Sequence, residues 1–282
     1  MEARVAYGGR LTRWSCHRLE CLTGFISAYA EGLDGGGCFV DLFAGPAAIS
    51  CVESQCQPEC LGLKLLKSGS PFTRFVFLAK NPAEASALRL LFKPLSKKTP
   101  VDVIPGNCMH EDVIRQVFDL IPRSSRSIAL VNPPGYSSLR WSVIKKLAQH
   151  GADWHGHKMD LCIIFPLEMA LLRNILRPAC RNSINRLYGS EAWQDIRQNY
   201  ADHKVDLNRM RRQLVDLFKA QLKQLGYKHV KDIEPARFTN PPYYHVIWAS
   251  DRASRSKDLH ETWDKERFLP CEMFHDGSPS RA

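Results

Sequence analysis

Short apolar runs and amphipathic stretches alternate along most of the chain. Buried strands are predicted where an apolar run ends in turn-forming residues, at 38–43, 74–79, 101–105, 127–131 and 159–165. Helices are predicted where apolar residues recur every three or four positions, at 11–33, 83–92, 110–120 and 139–149. Because strands that alternate with helices assemble into a parallel sheet with right-handed crossovers, the pattern predicts a doubly wound α/β fold.

The stretch 38–49 supplies the candidate ligand edge of that sheet. Its apolar run carries one acid, Asp41, and breaks at Gly45-Pro46, which a helix would not tolerate there. A glycine lets the backbone approach a ligand closely, and an apolar helix predicted to follow the turn would offer free N–H groups. We therefore expect Asp41, Ala44, Gly45 and Pro46 beside a nucleotide, with an ordinary strand-to-helix turn as the alternative.

The order of the elements predicts the organisation of the whole chain. We predict an N-terminal helix at 1–37 (its first ten residues a loose tail), a Rossmann-like core at 38–166, a basic helical insertion at 167–229, a closing β-hairpin at 230–250 and a charged tail at 251–282. Five strand–helix units before a hairpin are the order of Rossmann-like class I methyltransferases, whose mostly parallel sheet has seven strands. No G-x-G-x-x-G follows the first strand, which disfavours a nicotinamide enzyme.

Composition narrows the class of protein. Of 282 residues, 44% are hydrophobic and 24% charged, which is typical of globular proteins. No apolar run reaches the roughly 18 residues of a membrane span, and the N-terminus lacks an apolar signal segment. These features predict a cytoplasmic protein.

The net charge of +10 is concentrated in one segment. The segment from Arg173 to Lys231 contains 13 lysines and arginines but only 5 aspartates and glutamates. Such a concentration favours nucleic acid as a partner, although a solvated helical face would have the same composition. The candidate phosphate contacts are Arg209, Arg211, Arg212, Lys219 and Lys223.

Two groups of residues could suggest a metal. Cys51, Cys56 and Cys60 are spaced like a ligand cluster but include no C-x2-C pair, so a surface loop is favoured. His155 and His157 have no acid or cysteine close in sequence and also favour a loop. We therefore predict no metal site.

Several motifs in a shared order carry a family resemblance. They are DLFAGP at 41–46, Gly-Ser-Pro at 69–71, LRWS at 139–142, the run ending in Phe-Pro at 159–166, LLRN at 171–174, and YYHVIWAS at 243–250. In these features the chain resembles the three-Cys-motif partner proteins, which are similar to S-adenosylmethionine-dependent methyltransferases. The resemblance spans about residues 14–251 and implies S-adenosylmethionine as cofactor and a three-Cys-motif protein as a possible partner.

The chain departs from that pattern where acids are expected. After the second strand it has Lys80-Asn81, after the third Gly106-Asn107-Cys108, and after the fourth Asn132, while Ala47 replaces a second turn glycine. Each lost charge-assisted bond weakens cofactor binding by about 1–3 kcal/mol. By resemblance, Asn81, Asn107 and Cys108 join the turn residues at the cofactor.

Asn132-Pro133-Pro134 also resembles the Asn/Asp-Pro-Pro-aromatic turn that holds the target amine in amino-methyltransferases, but Gly135 stands at the aromatic position and Tyr136 follows one residue later. Asn132, Pro133 and Tyr136 are therefore the candidate catalytic residues, and a proline-rich strand exit is the alternative. The similar Asn240-Pro241-Pro242-Tyr243 precedes the last strand and is predicted to be a hairpin turn.

Two function classes follow. The first is a methyltransferase acting on nucleic acid, with an amine nitrogen as its target. The second is a catalytically degenerate relative that keeps the fold and binds nucleic acid or a protein partner.

Overall fold

A computed structural model of the chain describes residues 8–11, 13–33, 36–51, 57, 59–152, 158–233 and 245–252. Several sequence predictions fall outside this part of the chain. They concern Cys56, His155, His157, the string at 240–243 and the tail beyond 252.

The described residues form nine strands and eight helices, close to the predicted order. The strands are β1 Gly8–Leu11, β2 Gly37–Ala44, β3 Ala48–Cys51, β4 Phe72–Ala79, β5 Val101–Pro105, β6 Ser127–Val131, β7 Asp160–Phe165, β8 His229–Ile233 and β9 His245–Ser250. The helices are α1 Arg13–Glu31, α2 Leu61–Lys67, α3 Pro82–Phe92, α4 Glu111–Asp119, α5 Trp141–Gln149, α6 Arg181–Tyr188, α7 Trp193–Ala201 and α8 Leu207–Gln224. Single 3-10 or π turns lie at Tyr136–Ser138, Leu167–Leu171 and Pro178–Cys180.

Seven strands form the main sheet in the order β5-β4-β2-β6-β7-β9-β8. The five strands from β5 to β7 are mutually parallel, and β9 runs antiparallel to both β7 and β8. The chain moves outward from β2 to β5, then returns to the other side of β2 at β6, which makes a topological switch between β2 and β6. This arrangement is that of the Rossmann-like class I methyltransferases, so the predicted fold class is confirmed.

Alternate residues of β2 pack into two different layers. Phe39 lies with Phe75 and Phe77 in a fully buried aromatic cluster covered by α1, α2 and α3. Val40 and Leu42 point to the other face, which α4, α5 and the helices after β7 cover. Asp41 shares the face of Phe39 and therefore lies on the α1–α3 side of the sheet.

The segment after the Gly45-Pro46 turn differs from the prediction. We expected an apolar helix, but Ala48–Cys51 is a strand that pairs in parallel with Gly8–Leu11. The partner strand satisfies the backbone groups of this segment, and β-branched Ile49 suits a strand. The expected helix N-terminus at the turn is therefore wrong, and so is the loose tail at residues 8–10, which belong to β1 together with Leu11.

The helices between β7 and β8 share the core of the sheet. One face of α8 is buried at Met210, Leu214, Phe218 and Leu222, each at most 1% exposed, whereas Leu207 is 37% exposed. Phe218 packs edge-on against Trp141 of α5, with ring centroids 5.3 Å apart. No helix in the described ranges is long and apolar enough to cross a membrane.

Candidate functional site

A cavity of about 530 Å³ opens at the carboxyl ends of four parallel strands. Its lining comes from the ends of these strands and the segments that follow them: Phe43, Ala44, Gly45 and Pro46 at the end of β2, Lys80 and Glu84 after β4, Gly106, Asn107 and Cys108 after β5, and Asn132, Pro133, Pro134 and Ser138 after β6. The volume falls within the roughly 300–1,000 Å³ of small-molecule sites. Ligands of open α/β sheets bind at this edge, beside the switch point.

Most of the predicted site residues meet in this cavity. Those that line it are Ala44, Gly45, Pro46, Asn107, Cys108, Asn132 and Pro133. Asp41, Asn81 and Tyr136 are not among its lining residues. The turn at Gly45 leaves room for a ligand, because a Cβ added there would meet no described atom within 4 Å.

Asp41 faces a second, smaller cavity of about 130 Å³ on the α1–α2 side of the turn. Its carboxyl is 6% exposed, and its Oδ1 accepts the Phe43 N–H at 2.9 Å. Burial raises the pKa of Asp41 to about 7, although that hydrogen bond opposes the shift. Asn132 lines both cavities, as do the residues at 43–46.

Asn81 caps helix α3 and orients an acid that the sequence reasoning missed. Its Oδ1 accepts the Glu84 N–H at 2.9 Å, and its Nδ2 donates to Glu84 Oε1 at 3.1 Å. Glu84 lines the large cavity, one helical turn beyond the position where an acid was expected. The signal was an Asn-x-x-Glu capping box, which places the glutamate on the first turn of a helix.

The turn after β5 is held in shape by its own residues. Gly106 has a φ of +145°, and a Cβ there would lie 2.8 Å from Val113. The Asn107 side-chain oxygen accepts the Met109 N–H at 3.0 Å. The Asn107 side-chain NH2 group is therefore the part that can donate to a ligand. Burial raises the pKa of Cys108 to about 12, and the thiol therefore stays protonated at neutral pH.

The residues after β6 divide between the cavity and the core. Asn132 and Pro133 line the cavity, whereas Tyr136 is 7% exposed and belongs to the hydrophobic core. The Tyr136 hydroxyl lies 3.5 Å from the Ser183 hydroxyl on α6, and burial raises its pKa. Tyr136 therefore connects the rim of the cavity to α6.

The five basic residues predicted to contact phosphates differ in their surroundings. Arg211 binds Glu168, with Nε 2.7 Å from Oε1 and both side chains largely buried. Lys219 pairs with Asp216 at 3.2 Å, while Arg209, Arg212 and Lys223 are exposed. At 1.5 Å per residue, Lys223 lies about 21 Å along α8 from Arg209, so the exposed cations extend over most of the length of this helix.

No group of three or more histidine, cysteine or acidic side chains that could hold a metal occurs among the described residues. Cys60 is a buried free thiol immediately before α2. The proposed grouping with Cys56 lies outside the part of the chain that the structure describes.

Comparisons with known proteins give structural likeness without sequence likeness. No family model and no curated protein sequence matches the chain. A structure of M. jannaschii TYW2 in complex with AdoMet is 13% identical at a TM-score of 0.41, over 82% of this chain and 74% of that one.

Two further solved structures are similar. WbdD is 10% identical at a TM-score of 0.43, over 83% of this chain and 40% of that one. The pyocyanin biosynthetic protein PhzM is 16% identical at a TM-score of 0.38, over 82% of this chain and 55% of that one. The chain thus spans less than two thirds of the length of WbdD and PhzM. Likenesses at these scores assign no activity, so function has to be inferred from the topology and the cavity.

Proposed function

We propose that this protein is an S-adenosylmethionine-dependent methyltransferase that acts on an amine nitrogen of a nucleic acid. The observation that carries the proposal is the cavity with Asn132-Pro133-Pro134 at its rim, at the carboxyl edge of a sheet with the class I strand order. The cavity combines space for a nucleoside with a turn that can hold a target amine.

The residues of the cavity fit the cofactor. The open space at Gly45 allows close approach of the cofactor to the backbone. The Glu84 carboxylate can accept hydrogen bonds from ribose hydroxyls, because Asn81 holds it at the cavity wall. The amide group of Asn107 can donate to the adenine ring. When bound, S-adenosylmethionine supplies an electrophilic methyl group.

The rim favours nitrogen as the methylated atom. The Asn132 side-chain oxygen can accept an amine N–H and so orient the nitrogen lone pair toward the methyl group. Transfer to oxygen or carbon would need a base beside Asn132. Among the described residues that line this cavity, Glu84 after β4 is the one carboxylate, and none is a histidine. The site is therefore built for positioning rather than for proton abstraction.

The first test is binding of S-adenosylhomocysteine by isothermal titration, where we expect saturable heat at or below millimolar ligand. The second is transfer of labelled methyl to RNA or DNA, which Asn132→Ala should abolish without changing cofactor affinity. Asn132→Asp should retain transfer, and Asn199→Ala on α7 serves as a control for an asparagine away from the cavity. Equal background label in all four proteins would contradict catalysis.

One observation favours a non-catalytic binding protein as the second candidate. Ala48–Cys51 is a strand, so the Gly45-Pro46 turn lacks the helix N-terminus that we expected, and the next helix among the described residues is α2. Absence of heat with S-adenosylhomocysteine would support this candidate. In either case, a relationship to the three-Cys-motif partner proteins and a three-Cys-motif protein as a partner remain proposals that rest on the order of the sequence motifs.

A further inference from the structure

The segment that follows β7 presents four arginines on one stretch of chain. Arg173, Arg177, Arg181 and Arg186 lie between 172 and 190, which contains no acid. All four are exposed. The charge excess of the basic insertion therefore begins well before α8.

Buried side chains hold this stretch in place. Leu171 and Ile175 are at most 1% exposed and pack in the main core, as do Ile184 and Leu187 of α6. Leu176 between them is 54% exposed, and among the large apolar side chains of the described residues only Leu90 is more exposed. The arginines and Leu176 thus project from a backbone that the core keeps rigid.

Three of the four arginines of this stretch have no acidic partner. Arg181 pairs with Glu191 at 3.1 Å. Within the described ranges, Arg173, Arg177 and Arg186 make no ion pair, and neither do the exposed arginines of α8. A cation without an intramolecular partner can bind a phosphate without first breaking an ion pair.

The same stretch adjoins the rim of the cavity. Gly135 and Ala170 approach each other, since a Cβ on Gly135 would lie 4.0 Å from that of Ala170. The Ser183 hydroxyl contacts Tyr136, and Arg177 lies near enough to lower the pKa of Tyr136, against the larger raising effect of burial. Tyr136 is separated by one residue from Pro134, which lines the cavity.

We propose that Arg173, Leu176 and Arg177 form a docking surface for single-stranded nucleic acid whose target base enters the cavity. The surface rests on the proposed function, because it needs the cavity as the destination of the base. A base that is to be methylated must leave its stack, so the strand beside the cavity is unpaired. Arginines then bind the flanking phosphates, and an exposed apolar side chain contacts a base face.

The test measures binding of a labelled 12-nucleotide single-stranded RNA, and of the DNA of the same sequence, by fluorescence anisotropy between 50 and 200 mM salt. Two phosphate contacts on a single strand contribute about 1.4 to the log–log salt slope. The double variant Arg173→Ala/Arg177→Ala should therefore lose about 1.4 of the slope and bind about tenfold more weakly at 200 mM. Arg173→Lys/Arg177→Lys keeps both charges and should keep most of the slope.

The matched control is Arg115→Ala/Arg123→Ala, which removes the same charge from two exposed arginines on and after α4 that do not line the cavity. Equal loss in both double alanine variants, loss only in the control variant, or wild-type binding without salt dependence would overturn the proposal. Titration of each protein with S-adenosylhomocysteine distinguishes failure of the docking surface from failure of the proposed methyltransferase function. If Arg173→Ala/Arg177→Ala alone loses RNA binding but no protein binds S-adenosylhomocysteine, the nucleic-acid surface is supported and the methyltransferase function is contradicted.

Discussion

Replacing Asp41 by asparagine tests whether the acid beside the Gly45-Pro46 turn is buried as the structure places it. The carboxyl is 6% exposed, and burial raises its pKa from 3.8 to about 7. Asparagine keeps an oxygen for the Phe43 N–H and removes the ionisation. The variant therefore isolates the free energy of burying a charge at this position.

The sign and size of the effect follow from linkage. Well below pH 3.8 the carboxyl is protonated in both the folded and the unfolded state, so its burial costs nothing. Between pH 4 and 7 the unfolded chain releases the proton while the folded protein keeps it, so the free energy of unfolding falls as pH rises. From the two pKa values, the cost grows from about 2 kcal/mol at pH 5 to about 4 kcal/mol at pH 8. Asp41→Asn should therefore gain about 2–3 kcal/mol relative to wild type between these pH values.

The assay is urea unfolding of both proteins at pH 5, 6, 7 and 8, followed by circular dichroism, with an unchanged m-value as the check on compactness. Effects of the asparagine side chain that do not depend on pH are equal at every pH, so they cancel when the stability gap between the two proteins is compared across pH. Asp160→Asn is a matched comparison, because burial raises the pKa of Asp160 to about 6 although Tyr29 donates to it at 2.9 Å. The gain of Asp160→Asn over wild type should grow by about 1–2 kcal/mol between pH 5 and 8 and should level off by about pH 7. A constant gap between wild type and Asp41→Asn from pH 5 to 8 would refute the burial of Asp41.

Two further predictions concern the cavity and the core. Glu84→Gln should weaken S-adenosylhomocysteine binding about tenfold in calorimetry, because it removes a charged acceptor worth about 1–3 kcal/mol. The control Glu111→Gln, on the first turn of α4, should leave the affinity unchanged. Equal affinities of Glu84→Gln and wild type would exclude Glu84 from the cofactor site. Gly189→Ala should lower the free energy of unfolding by about 1–3 kcal/mol more than Gly69→Ala. Both glycines have a φ near +65°, but only at Gly189 would a Cβ lie 2.4 Å from Trp141, so equal losses in urea would contradict that packing.

The sequence by itself determined the alternation of strands and helices and, with it, the class of fold. Buried parallel strands must be apolar on both faces, whereas helices need to be apolar on one face only. The apolar runs at β2, β4, β6 and β7 therefore predict strands without a structure. The sequence also placed the turn at Gly45-Pro46 and the end of the strand before Asn132 at the ligand edge, because the carboxyl ends of parallel strands lie at one edge of the sheet.

Tertiary structure decided which of those residues share a cavity. A period of two shows that Asp41 lies on the face of Phe39, but only the packing of α1 and α2 shows that this face is not the one with the large cavity. Pairing with Gly8–Leu11 made Ala48–Cys51 a strand, an interaction between segments 40 residues apart. Glu168 and Arg211 meet across 43 residues. Local patterns carry no information on such distant partners, because their contact depends on how the whole chain closes around the core.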